Sequence, residues 1–278
     1  MDIKLICLDL DGTLLGPGGR VSPGNRAAIA RARAAGVHVA IATGRLYEAA
    51  RHFARAAGAD EVVISSNGGE IAGADRARPV SLTRMPDALC REATVLAWRL
   101  GLSFQVISQR GMFALSDRPV RFIREHEGSQ AAWRRTDETC CFELPTLTHL
   151  FRAVRGAALK LLAFEGAPGS LAALRAALAD RTDLALESSW ADNVEIMPAG
   201  VNKGAGVALL ARHYGLGPEQ VMAVGDNEND QTMFAWAGCP VAMGNAIGPI
   251  RDMARLVAPD NLHDGVAWAI DRALEGGL

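Results

Sequence analysis

The chain has 278 residues, 49% of them hydrophobic, with 29 Lys and Arg against 31 Asp and Glu for a net charge of −2. That size suits one large domain or two modest ones with ample core, and a charge so close to zero gives no electrostatic footprint for nucleic acid. No apolar run approaches a membrane span, Asp9 and Asp11 interrupt any signal-peptide pattern early, and five cysteines without a CxxC pair, the adjacent Cys140 and Cys141 included, point to reduced thiols and the cytoplasm.

Residues 4–8 form an apolar run that empties into Asp9-Leu10-Asp11-Gly12-Thr13, which predicts a buried strand ending in a turn. A helix is predicted over 23–35, with Ser22 as N-cap, Pro23 at the first helical position and Gly36 as the stop. A second strand over 37–42 ends in Thr43-Gly44-Arg45, a helix follows to about residue 57, and a third strand over 61–65 ends in Ser66-Asn67-Gly68-Gly69. This βαβαβ rhythm predicts an α/β fold, a doubly wound parallel sheet with helices on both faces.

The rhythm changes over 84–189. There the sequence predicts a helix (88–100), two short strands about Gly111 (103–107 and 112–115), a polar Arg-rich middle, a strand (159–164), a helix (170–178) and a strand (184–188). Strands flanking short turns predict an antiparallel sheet with helices, an α+β module. The alternation resumes with a helix over 204–214, a strand at 221–224, a helix over 228–237, strands at 240–243 and 256–258, and a final helix over 265–274. The expected organisation is a discontinuous core of 1–83 and 190–278 interrupted by an inserted domain of 84–189.

Four strand ends or helix starts carry polar clusters: Asp9-Leu10-Asp11-Gly12-Thr13, Thr43-Gly44-Arg45, Lys203 within Val201-Asn202-Lys203-Gly204, and Gly225-Asp226-Asn227-Glu228-Asn229-Asp230. Each alone has a plainer explanation. Thr43 or Asp226 could cap a helix, Lys203 could be a surface lysine, and the DxDG stretch could be a turn. A parallel sheet, however, brings these ends to one crevice, where ligands bind. Only Lys4, Lys160 and Lys203 are lysines in this Arg-rich chain, so a lysine kept at such a place points to a need for a compact ammonium. Asp9 and Asp226 together leave excess negative charge, which Mg²⁺ with oxygen ligands would resolve. Thr43, Gly44 and Lys203 supply a hydroxyl, a backbone N–H at a helix start and a cation, which are phosphate-binding elements. A crevice that takes both a metal and a phosphate implies phosphoryl transfer with a carboxylate as nucleophile.

These motifs resemble those of the haloacid dehalogenase (HAD) superfamily, specifically Cof-type phosphatases with a type IIB cap. The resemblance rests on residues 9–15, Ile41-Ala42-Thr43-Gly44-Arg45, Ser66-Asn67-Gly68, the run from Glu195 to Gly204, the run from Ala223 to Asp230, and Val241-Ala242-Met243-Gly244-Asn245-Ala246. It implies a Rossmann-like core with an inserted α+β cap that closes over the crevice. It also implies Mg²⁺-dependent hydrolysis of phosphate monoesters of small metabolites, sugar phosphates among them, through an aspartyl-phosphate. Carried over residue by residue, it implies Asp9 as nucleophile and metal ligand, and Asp11 as general acid and base with its backbone carbonyl on the metal. Thr43, Gly44 and Lys203 would hold the phosphoryl oxygens, and Asp226 would be the main additional metal ligand. Asn229 would contact phosphate or its water shell, and Asp230 would orient Lys203 or a metal-bound water. Arg45 and Asn67 either face the substrate or serve the structure.

The expected partner is a small phosphorylated metabolite, with neither nucleic acid nor membrane. The inserted domain carries no legible motif. Arg110, Arg118, Arg121, Arg124, Arg134 and Arg135 are candidates for an anionic substrate against a plainer reading as solvated surface. Trp98 and Trp133 are candidates for ring stacking, with core packing the better reading of Trp98. Two alternatives stay open: a phosphomutase or phosphotransferase with the same intermediate, and a non-catalytic regulator that binds a phosphometabolite.

Overall fold

The computed structural model describes residues 1–117, 141–189 and 192–277. Arg118, Arg121, Arg124, Trp133, Arg134, Arg135 and Cys140, singled out above, lie outside the described residues. The chain forms two compact units, Met1–Leu82 with Asn202–Leu278, and Thr83–Val201.

The first unit is built on a five-stranded parallel sheet. Its order is Leu256–Val257, Cys239–Ala242, Val221–Gly225, Leu5–Leu8, His38–Ile41. Leu5–Leu8 is buried at every position, as a central strand covered on both faces must be. Leu5 stands opposite His38 on one side and Val221 on the other. The helix Pro23–Ala34 starts as its residues dictate, with Ser22 Oγ accepting the Asn25 N–H at 3.0 Å. Cys7, Ala40, Ile64, Val207, Ala223, Met233 and Phe234 share one buried cluster that ties sheet to helices. Each large aliphatic or aromatic side chain so buried contributes roughly 1.5–3 kcal/mol.

Two elements differ from expectation. Val63–Ser65 joins the parallel sheet only through a bridge between Ala42 and Ile64 and runs antiparallel to Glu70–Ala72, which in turn pairs with Ser81–Leu82. The chain reverses here because Ser66, Asn67 and Gly68 all take left-handed backbone, with φ of 50°, 53° and 92°. The helix expected over 228–237 is a 3₁₀ turn, Glu228–Asp230, followed by the α-helix Gln231–Trp236. The Asp230 carboxylate bonds the backbone N–H groups of Asp226 and Asn227, and so competes with regular helix there. A short helix at Gly248–Met253 was not expected.

The second unit holds a six-stranded sheet in the order Cys141–Leu144, Gly111–Leu115, Ser103–Ser108, Ala158–Phe164, Asn193–Pro198, Leu184–Glu187. The first pair is parallel and the rest antiparallel. On one face Phe104, Val106, Leu161, Ala163, Val194 and Ile196 cluster with Leu89, Leu150 and Leu174 from three helices. The alternate positions of the same strands carry Gln105, Lys160 and Glu195, all buried, with Lys160 Nζ donating to Glu195 and the Ser189 hydroxyl donating to the other Glu195 oxygen at 2.7 Å.

Asn193–Pro198 bonds strands of this sheet on both sides, so residues 192–201, expected with the core, belong to the second unit. The helix Leu147–Val154, capped by Thr146, was also not expected. Trp98 is 40% exposed rather than packed in the core, and the Arg110 guanidinium donates to the Ala153 carbonyl at 2.8 Å. Among the described residues no helix is long and apolar enough to cross a membrane.

Candidate active site

Asp9 directly follows Leu5–Leu8, and its N–H still belongs to the sheet, donating to the Val224 carbonyl at 3.0 Å. Asp226 directly follows Val221–Gly225, whose Val224 stands opposite Leu8. Two adjacent strand ends, offset by one residue, therefore bring the two carboxylates close together. Lys203 opens the helix Lys203–His213, which Asn202 caps by accepting the Ala205 N–H at 2.8 Å. From that position Lys203 Nζ donates to Asp9 Oδ1 and to Asp230 Oδ1, both at 2.6 Å. The other Asp230 oxygen accepts the N–H groups of Asp226 (2.8 Å) and Asn227 (3.0 Å). Thr13 Oγ1 donates to Asp226 Oδ1 at 2.7 Å.

The electrostatics follow from the count. Three carboxylates face one ammonium, with Lys203 and Asp230 fully buried and Asp9 and Asp226 at 5% and 7% exposure. Burial, reinforced by Asp230 and Asp226 against the pull of Lys203, holds the Asp9 carboxyl well above the usual carboxylate range. Burial and Asp230 push Asp226 up to about 7. Burial works against the charged form of Lys203, but Asp230 and Asp9 outweigh it and hold the ammonium above its ordinary value.

Such a site has room for positive charge. Side-chain oxygens of Asp9, Asp226 and Asp230 lie within 4.8 Å of one another. Asp230 has both oxygens engaged, whereas the second oxygens of Asp9 and Asp226 carry no hydrogen bond among the described residues. Gly12 keeps the space beside Asp226 open: its φ is +79°, and a Cβ there would lie 2.3 Å from Asp226 Oδ2. Two free carboxylate oxygens, an excess of negative charge and a cradle that only glycine leaves clear fit a hard divalent cation.

Beside this cluster, Arg45 grips Asp11. Arg45 Nε donates to Asp11 Oδ2 at 2.7 Å and Nη2 donates to Oδ1, a two-pronged fork. Burial opposes the charge on Arg45, and Asp11 more than restores it, raising the guanidinium above its ordinary value. The Arg45 main chain is held as well, its N–H by Thr43 Oγ1 at 3.2 Å and its carbonyl by the Ser66 N–H at 2.8 Å. Thr43 is buried, and its carbonyl accepts the Asn67 N–H at 3.0 Å. The left-handed turn that carries Asn67 sits against the start of the Lys203 helix, where a Cβ on Gly68 would come within 2.5 Å of the Asn202 carbonyl oxygen. Backbone contacts thus link the Thr43-Gly44-Arg45 turn to the base of Lys203.

The sequence profile of the haloacid dehalogenase-like hydrolases matches residues 6–270. The chain belongs to this family. It is 30% identical, over 99% of both chains, to the 5-amino-6-(5-phospho-D-ribitylamino)uracil phosphatase of Bacillus subtilis (strain 168). It is 29% identical to the pyridoxal phosphate phosphatase of Escherichia coli (strain K12), over 97% of this chain and 98% of the relative. A haloacid dehalogenase-like hydrolase structure from B. subtilis superposes with a TM-score of 0.87 at 25% identity, over 97% of this chain and 99% of that one. A subclass IIB sugar phosphatase shares the fold, with a TM-score of 0.78 at 18% identity over 97% and 98%. The protein is accordingly a phosphoric monoester hydrolase of the HAD-like kind.

Within this HAD-like hydrolase, the structure brings Asp9, Lys203, Asp226 and Asp230 into one hydrogen-bonded group. Asn229 is buried in the 3₁₀ turn next to Asp230. Arg45, expected either at the substrate or in the structure, is tied to Asp11. Sequence reasoning assigned no role to Thr13, which binds Asp226, or to Asn245, whose Nδ2 donates to the Gly12 carbonyl at 2.8 Å. Both lie inside the Asp9–Leu15 and Val241–Ala246 motifs, and a polar side chain inside such a motif is the available signal.

Proposed function

We propose that the protein removes phosphate from small phosphorylated metabolites, sugar phosphates among them, through an aspartyl-phosphate on Asp9, with Mg²⁺ as cofactor. The observation that carries this reading is Asp9 itself, a buried strand-end carboxylate with one oxygen on Lys203 and the other without a hydrogen bond among the described residues. The relatives' names support the substrate class, since they specify phosphorylated ribitylaminouracil and pyridoxal compounds.

Asp9 and Asp226 would hold the metal together with the Asp11 backbone carbonyl, and bound Mg²⁺ would supply charge neutralisation for the phosphoryl oxygens. Lys203 orients the Asp9 carboxylate through one of its oxygens, and an Asp9 oxygen attacks phosphorus. As the Asp9 oxygen–phosphorus bond forms, the phosphorus–ester oxygen bond breaks, and Asp11 gives a proton to the departing oxygen. Asp11 then takes a proton from water as that water attacks the phosphorus of the acyl phosphate, which frees Asp9 and inorganic phosphate. Thr43, Gly44, Lys203 and Asn229 steady the phosphoryl oxygens throughout. Asp230 keeps the Lys203 ammonium in place.

The test is inorganic phosphate release from a panel of phosphate monoesters with Mg²⁺ present, run with and without a sugar acceptor. Asp9→Asn should reduce turnover by about 10⁴-fold or more on every active ester. An Asp9→Asn protein that turns over like the parent would sink the reading, and phosphate appearing on the acceptor instead of in solution would make the protein a phosphotransferase.

A further inference from the structure

We propose that Arg45 is a positioning residue for Asp11 in the water-attack step, and not a substrate ligand. The inference rests on the reading of Asp9 and Asp11 given above. The guanidinium is committed toward Asp11: Nε and Nη2 both donate to it, and its carbon lies 5.1 Å from the centre of the Phe53 ring. The side chain is 13% exposed. Its main chain is fixed from both sides, by Thr43 Oγ1 and by the Ser66 N–H, and Ser66 begins the left-handed turn. The main chain of Arg45 and the fork of its guanidinium are thus both held within the parallel-sheet unit.

Asp11, by contrast, bridges to Leu15 between turn residues, is 32% exposed at its side chain and precedes a glycine with φ of +79°. A carboxylate in such a turn has several rotamers. A planar fork selects one of them and fixes the plane of both oxygens, which a point-like ammonium cannot do. A base that must take a proton from water as the water attacks phosphorus gains most from that fixation.

The experiment uses p-nitrophenyl phosphate with Mg²⁺ and follows the pre-steady state. Nitrophenolate leaves without a proton, so the first step does not need Asp11, whereas hydrolysis of the phosphoenzyme does. Arg45→Gln and Arg45→Lys should each show a nitrophenolate burst stoichiometric with enzyme, then steady turnover slowed about 10- to 100-fold, with KM falling in step so that kcat/KM is unchanged. Asp11→Asn should show the same burst, and the Asp11→Asn/Arg45→Gln double variant should be no slower than Asp11→Asn alone, because one variant has already removed what the other would.

A raised KM without a burst would make Arg45 a substrate ligand and overturn the proposal. Loss of burst and turnover together would make it a structural residue and overturn it too, as would full activity in Arg45→Lys. Asp11→Asn turning over like the parent would leave Arg45 nothing to position and overturn it while sparing Asp9. The same burst in Asp9→Asn would overturn the phosphoenzyme reading itself.

Discussion

Three carboxylates and one ammonium make up the cluster of Asp9, Asp226, Asp230 and Lys203, whereas two residues along the chain from Asp9 a single carboxylate, Asp11, meets a single guanidinium, Arg45. Both are acid–base contacts at the same strand end, yet they obey opposite charge rules. The first is overcharged and buried, so its carboxyls are pushed up and its lysine is held charged. The second is a geometric fork, one guanidinium gripping both oxygens of one carboxylate. An overcharged cluster keeps an appetite for a cation. What a fork offers is direction.

The largest effect should come from deleting the ammonium of the overcharged cluster. Lys203→Met leaves three carboxylates together, two of them paired to it before, and breaking a buried pair from one side costs about 3–5 kcal/mol. Urea denaturation should show a loss of that order, and phosphate release should vanish. Parent-like stability would mean that the acids do not depend on Lys203.

The next effect concerns the metal. Mg²⁺ at about 100 times its dissociation constant should stabilise the fold by about 2.7 kcal/mol. Its pH dependence has a definite sign. Asp226 sits at about 7 in the fold, above its value in the unfolded chain. Between the ordinary carboxylate range and about 7 the metal-free fold therefore retains a proton that the unfolded chain has shed, and this group's contribution to stability falls as pH rises. Mg²⁺ needs the bare carboxylate, so its increment in Tm should be larger near pH 8 than near pH 5. A pH-independent increment would contradict the charge count.

The smallest effect isolates the space beside Asp226. Gly12→Ala places a methyl 2.3 Å from Asp226 Oδ2 in left-handed backbone, a conformation that alone costs about 1–2 kcal/mol. Thermal unfolding should register a loss of that size. The Mg²⁺ concentration for half-maximal activity should rise about tenfold, equivalent to about 1.4 kcal/mol of lost binding. The Asp11–Arg45 side of the contrast should not feel it, so the nitrophenolate burst should survive at saturating Mg²⁺.

Much of the overcharged cluster was legible in the sequence because strand ends are. An apolar run that stops at an acid predicts where the acid stands, and parallel register then sets Asp9 beside Gly225, one residue before Asp226. Lys203 stood out because the chain keeps so few lysines. The Arg45–Asp11 fork was not legible, since a long guanidinium stem reaches many partners and the choice among them is made by packing, here against Phe53. Nor was the reversal at Ser66 and Asn67, two residues that visit left-handed backbone without being glycine. The stretch before Asn202 was assigned to the wrong unit because an apolar strand reads the same whichever sheet it joins, and only the pairing of Asn193–Pro198 with its neighbours decides. The helix Leu147–Val154 was missed because it is only eight residues long and its opening signal is a single Thr146 cap.

The pairing of Leu5–Leu8 carries a consequence for the birth of the molecule. One edge of this strand is satisfied early, by His38–Ile41, but the other waits for Val221–Gly225. As the chain leaves the ribosome, the central strand of the parallel sheet stands with a bare edge while the whole second unit is made. Throughout that interval Asp9 also lacks Lys203, 194 residues downstream. The aspartate is therefore still hydrated when its strand begins to fold, and completion of the site coincides with closure of the sheet. A nascent chain halted within the insertion would expose a ready template for strand pairing with a neighbour.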